Sequence, residues 1–160
     1  ARLFGLMLLT DAWFFFTHRM CHQVPFLYKH VHKLHHTWVE PYAVSATAAH
    51  PFEQFLVNMH TVNLPCILLG APWRWYLLWF CLAMVNTCTS HSGFDLRFIF
   101  GFDGNVAHDR HHHYQRSEFG TNFLCDRIFG TRFQDVYTQD GRRRELGART
   151  AKPQRVPTAG

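Results

Sequence analysis

Histidine falls in this chain at spacings that narrow the fold more than any other feature. His18 and His22 are four apart, and the run His32, His35, His36 has a His-x-x-His-His pattern that returns unchanged as His108, His111, His112. On a helix, positions i, i+3 and i+4 leave one face about a turn apart, so each group can turn its rings toward a shared point. With 13 histidines among 160 residues, chance places such a triplet in about one chain in a dozen. Two copies beside a His-x3-His therefore call for a helical fold that brings imidazoles together.

The chain between the boxes says how they meet. No Asp, Glu, Lys or Arg lies between Glu53 and Arg74, and none between Arg74 and Asp95, so two uncharged stretches of 20 residues run in succession. Each has about the length that crosses a bilayer core as a helix, and Gly70 to Arg74 supplies a turn with an aromatic and a cationic anchor. A helical hairpin in the membrane is the expectation, with a buried soluble hairpin as the alternative. Asn58, His60, Asn63, Asn86, Thr87, Thr89, Ser90 and His91 shorten the strictly apolar core of each arm. Leu3 to Phe16 is a third apolar segment. It lacks the basic start and small-residue cleavage site of a signal peptide and leads directly into Thr17, His18 and Arg19. It reads as the end of a membrane helix. With no initiator methionine, one or more further helices are expected upstream. An even number of crossings leaves residues 17–40 and 103–120 on the same side, where their histidines can converge.

Charge is a property of the tail. The formal net charge is +5, and Gly141 to Gly160 carry Arg142, Arg143, Arg144, Arg149, Lys152 and Arg155 against Glu145 alone, which leaves the rest neutral. A nucleic-acid-binding face over the body is thereby excluded. The expected organisation is one catalytic domain over 1–140 and a flexible basic tail over 141–160. Five cysteines without a Cys-x-x-Cys pair read as small buried hydrophobes.

The eight clustered histidines are a metal-ligand set: His18, His22, His32, His35, His36, His108, His111 and His112. Neutral imidazole suits iron, zinc, copper or nickel, and eight ligands exceed what one ion accepts, so two ions are expected. Structural zinc needs only four ligands. So many histidines beside apolar spans point to a redox pair activating dioxygen over a lipid cavity, with iron favoured over copper. His30, His60 and His113 are read as ordinary surface or core residues.

With these residues in view, the chain resembles the fatty acid hydroxylase/sterol desaturase superfamily of membrane di-iron oxygenases. That family's signature is His-x3-His followed by two His-x-x-His-His boxes, in the order found here. The resemblance runs from about Asp11 to Thr131. It includes Asp11 to Arg19 (DAWFFFTHR), His50-Pro51-Phe52-Glu53, Ser90 to Asp95 (SHSGFD), Phe119-Gly120 and Asp126 to Thr131 (DRIFGT). The SHSGFD string looks most like sterol 4-methyl oxidases and related sterol hydroxylases.

The resemblance implies an all-α, integral-membrane helical bundle with a histidine-rich cytosolic metal cap. It adds His91 as a ninth ligand. It makes Asp11 a candidate partner for a ligand's second ring nitrogen, and His50 either such a partner or a structural residue. Where some relatives have a histidine four before the His91 position this chain has Thr87, so a coordination position is open there or Asn86 contributes. Where many relatives carry Asn before Phe-Gly it has Glu118. The implied activity is dioxygen-dependent hydroxylation, oxidation or desaturation of an apolar lipid, preferentially a sterol. The implied cofactors are two iron ions, with zinc as a substitute. Electrons would come from NAD(P)H through cytochrome b5 or a ferredoxin-type carrier, since no dinucleotide fingerprint is present. The implied location is the endoplasmic reticulum in a eukaryote or the inner membrane in a bacterium. Fatty acyl or carotenoid hydroxylases, desaturases and aldehyde-processing relatives are alternatives within the family, and a structural zinc-binding membrane protein is the alternative outside enzymes.

Overall fold

The computed structural model describes residues 2–96 and 104–137, and these form helices and turns with no strand among them. The tail expected over 141–160, and the domain boundary before it, lie outside the described residues. Helix α1 spans Arg2–Gln23 and stops because Val24 precedes a proline, which disfavours helical backbone at that residue. Pro25 then opens α2, Pro25–His30. Two 3-10 turns follow, His32–Thr37 and Ala43–Thr47. The first hairpin arm runs through α3, Pro51–Glu53, a π-helical turn, Gln54–Met59, and α4, His60–Leu68. The second arm is α5, Trp73–Ser90. Helix α6, Gly104–Tyr114, carries the last histidine box, and α7, Leu124–Ile128, and α8, Phe133–Val136, close the described chain.

The hairpin turn is a glycine-terminated helix end. Gly70 has φ +53°, its N–H donates to Ile67 O, and Ala71 N–H donates to Cys66 O. These two bonds satisfy carbonyls that the end of α4 leaves open. The turn therefore comes slightly earlier than 70–74, and Trp73 and Arg74 belong to the first turn of α5.

Helix α1 is the axis of the structure. Its first half buries Leu6 against Val62, Cys66 and Trp79 of the hairpin, and its second half buries Phe15 against Phe119 and Cys125. Pro65 inside α4 has no N–H, so the Thr61 carbonyl one turn earlier loses its helical donor. Thr10 Oγ1 donates to that carbonyl at 3.2 Å and accepts from Trp79 Nε1 at 3.2 Å. One hydroxyl thus joins three helices at the position where a helix is broken.

Among the described residues no helix is long and apolar enough to cross a membrane. The first uncharged stretch is divided by the π turn and Pro65, and the second ends in Asn86, Thr87, Thr89 and Ser90. The outer face of the hairpin is nonetheless apolar and uncovered, with Trp73, Ile67 and Leu68 each more than 60% exposed. Cys81 and Cys88 lie on this face, contrary to the expectation that all five cysteines are buried, whereas Cys21, Cys66 and Cys125 are.

Candidate metal centre

Nine histidines meet above the hairpin in two groups. His18, His22, His32, His36 and His111 form one, and His35, His91, His108 and His112 the other, with ligand-capable atoms within 4.8 Å of one another in each. Every His-x-x-His-His box is divided between the groups. In the second box, His32 and His36 face the first group and His35 the second; in the third, His108 and His112 face the second group and His111 the first. The single-face picture from spacing is therefore too simple: the residue three along the box serves the other group. The second box achieves this in a 3-10 turn rather than an α-helix.

The ring nitrogens point inward. His22 Nε2 stands 3.3, 2.7 and 3.2 Å from the Nε2 atoms of His18, His32 and His36. His91 Nε2 stands 2.9 Å from His108 Nε2 and 3.4 Å from His35 Nε2. The Nε2 atoms of His111 and His112 are buried without a hydrogen-bond partner. Buried polar atoms are rarely left so, and convergent lone pairs of one donor type are what a metal ion satisfies. The residues present fit a metal centre.

The opposite ring edges explain why Nε2 faces inward. Nδ1 of His18, His91, His111 and His112 lies 2.9, 2.9, 2.7 and 3.2 Å from the carbonyls of Phe119, Thr87, Ser117 and Trp38. A carbonyl can only accept, so Nδ1 carries the hydrogen and Nε2 keeps its lone pair. Burial pushes His18, His32 and His112 down to about 3 and lowers His22 and His36 further, so the rings are neutral at ordinary pH. His32 is different, because its Nδ1 lies 2.7 Å from Glu53 Oε1. Burial raises the Glu53 carboxyl to about 8, so the two groups share one proton.

Two of these carbonyls belong to a loop that buried carboxylates hold. Asp11 accepts from the N–H groups of Thr121, Asn122 and Cys125 at 2.8, 2.8 and 2.9 Å. Asp126 accepts from those of Phe119 and Gly120 at 2.9 and 2.7 Å and from the Thr131 hydroxyl at 2.7 Å. Glu118, fully enclosed with φ +61°, takes a two-pronged contact from Arg110. The left-handed backbone there is one that Asn tolerates better than Glu.

The four candidate neighbours of the ligands meet them in different ways. Asp11 touches no imidazole and acts on His18 through the loop that carries Phe119 O. His50 is structural: its Nδ1 accepts from Phe52 N at 3.2 Å and caps α3. Thr87 contributes its carbonyl rather than its side chain, and Asn86 lines the adjoining cavity with no hydrogen bond to a ligand. Glu53, not singled out from sequence as a site residue, touches a ligand directly. Its signal was legible, since it is the only acidic residue between Glu40 and Asp95. His30, His60 and His113 lie outside both groups.

A cavity of about 410 Å³ opens on both groups, reaching His18 and His32 of one and His35, His91 and His108 of the other. Its other walls include Met7, Phe14, Val62, Trp79 and Leu82. The space is shaped for an apolar molecule whose end reaches the histidines.

The family profile described as fatty acid hydroxylase matches residues 3–131. A very-long-chain aldehyde decarbonylase of Oryza sativa is 37% identical over 78% of this chain and 52% of its own length. A sphinganine C4-monooxygenase of Arabidopsis thaliana is 35% identical over 78% of this chain and 51% of its own. A methylsterol monooxygenase of Gallus gallus is 30% identical over 91% of this chain and 51% of its own. The chain thus spans about half the length of these relatives. No solved structure matches it.

Proposed function

The chain belongs to the fatty acid hydroxylase family, and from that premise we propose that it carries the catalytic centre of a membrane-bound, dioxygen-dependent di-iron oxidoreductase acting on an apolar lipid. A sterol is the favoured substrate. The observation that carries this reading is the pair of histidine groups opening on one apolar cavity. Two iron ions, when bound, supply the redox chemistry that reduces dioxygen and attacks an unactivated C–H bond. His18, His22, His32, His36 and His111 would hold one, and His35, His91, His108 and His112 the other.

The protein's own share is positional. Carbonyls fix ring orientation, burial keeps the rings neutral, and the walls around Met7, Phe14 and Trp79 exclude water and direct a lipid toward the ligands. The apolar outer face of the hairpin is the surface that meets the bilayer, with the metal cap and basic tail on the cytosolic side. Electrons come from NAD(P)H through cytochrome b5 or a ferredoxin-type carrier, for which the basic tail offers a docking segment. The endoplasmic reticulum or a bacterial inner membrane is the corresponding location. The similarity to an aldehyde decarbonylase supports a second reading, aldehyde processing at the same centre.

Metal analysis with Mössbauer spectroscopy on anaerobically purified protein tests the proposal. Two irons per chain that oxidise together on one exposure to dioxygen are expected, with product analysis separating alcohol, alkene and alkane. Redox-silent zinc in protein made with iron plentiful would overturn it in favour of a structural zinc protein. His35→Ala and His111→Ala should lower bound metal and abolish turnover, whereas His113→Ala should retain both.

A further inference from the structure

The wall of the cavity contains one segment that leaves α-helical geometry. Gln54–Met59 is a π-helical turn, a rare form that concentrates at functional positions. Residues 54 and 58, four apart, share the cavity side of this turn, where Asn58 Nδ2 donates to Gln54 Oε1 at 2.8 Å. That bond occupies one donor of Asn58 and one acceptor site of Gln54. Gln54 Nε2 and Asn58 Oδ1 make no other hydrogen bond among the described residues. Several other polar groups on the same wall are already taken. The Thr10 hydroxyl serves Thr61 O and Trp79 Nε1, and the Asn122 amide serves Met7 O and Leu124 N. Gln54 thus keeps a donor and Asn58 an acceptor without a protein partner, on two adjoining side chains that line an apolar space.

A hydroxyl group, which donates once and accepts, answers that pair completely. An aldehyde oxygen accepts from Gln54 but leaves Asn58 Oδ1 unmatched, and a hydrocarbon leaves both. The position also bears on the substrate. Gln54 directly follows Glu53, whose Oε1 is 2.7 Å from His32 Nδ1, so the pair begins one residue from a side chain that touches a histidine of the centre, in a cavity that both share. We propose that Gln54 and Asn58 are specificity residues which bind a hydroxyl of the lipid, making the substrate class lipids that carry a hydroxyl close to the carbon presented to the histidines. This rests on the reading above that the cavity receives the substrate.

The test is equilibrium binding of radiolabelled lipids to the purified, metal-loaded protein in detergent, in two matched pairs: cholesterol against cholestane, and stearyl alcohol against octadecane. For at least one pair the alcohol should bind about tenfold more tightly or better, because a site built to pair a hydroxyl penalises the analogue without it. Gln54→Met and Asn58→Leu should each reduce that preference to about twofold or less, with metal content and thermal midpoint retained. Equal binding of alcohol and hydrocarbon by the unaltered protein would overturn the proposal. So would a preference that survives both changes and disappears in Asn86→Leu, or loss of metal in Gln54→Met and Asn58→Leu. The binding result is independent of turnover. Protein that holds redox-silent zinc yet shows the preference would sink the oxygenase reading alone, whereas failure of all four lipids to bind would sink the hydroxyl site alone.

Discussion

Glu53 and Gly120 show how much of this centre depends on single atoms that ligate nothing. Glu53 Oε1 holds His32 at 2.7 Å, and an amide oxygen could take the same N–H. Glu53→Gln should therefore keep both metals, while Glu53→Leu, which leaves His32 Nδ1 unpaired, should weaken metal binding about 10- to 100-fold. Competition with a chelator of known affinity measures both. At Gly120, an added Cβ would lie 2.6 Å from Asp11 Oδ1 and 2.8 Å from Asp126 Oδ2. Both oxygens are held by backbone N–H groups and cannot retreat without releasing the loop. Gly120→Ala should cost about 1–3 kcal/mol and loosen the loop bearing Ser117 and Phe119, seen as a lower thermal midpoint and weaker metal retention. The family resemblance made Asp11 a candidate partner for a ligand ring. It could not show that the C-terminal loop would bring three N–H groups to the carboxylate first.

At the scale of elements, the histidine boxes were legible and their division was not. Spacing puts i, i+3 and i+4 on one face of a helix, which marks eight of the nine rings; His91 stands in no box and came only from the family resemblance. Which ring turns to which group depends on the 3-10 turn at His32–Thr37 and on how α6 packs against α5. The hairpin was legible as two uncharged arms, yet the π turn has no sequence signature, since Gln54 and Asn58 fit an α-helix as well. Pro65 makes its arm testable. The Thr10 hydroxyl bonds a carbonyl that is free only because residue 65 lacks an N–H. Thr10→Val should cost about 2 kcal/mol or more, by leaving Thr61 O and Trp79 Nε1 buried and unpaired. In a Pro65→Ala background the penalty should be smaller, because the restored N–H supplies Thr61 O. Unfolding free energies in detergent for the four proteins of this cycle give the coupling, and additivity would disprove the shared carbonyl.

For the whole molecule, the histidine centre makes stability a function of pH. In the folded, metal-free protein, burial holds His18, His32 and His112 down to about 3, whereas in an unfolded chain a histidine titrates near 6.5. Below that pH the unfolded chain takes up protons that the folded one refuses, so the stability these rings contribute is complete above about 6.5 and is lost as pH falls toward 3. Each such ring contributes at most about 1.4 kcal/mol per pH unit within that window. Because several rings act together, the metal-free protein should unfold cooperatively on mild acidification, between about pH 6 and 5, with net proton uptake. Metal binding competes with the same protons, so the loaded protein should hold its structure to lower pH and release its metal as it unfolds. Calorimetry in two buffers of different ionisation enthalpy measures the uptake. A thermal midpoint unchanged between pH 7 and 5 in metal-free protein would mean that the rings are solvated or already charged, and that the enclosed centre described by the distances does not persist without its metals.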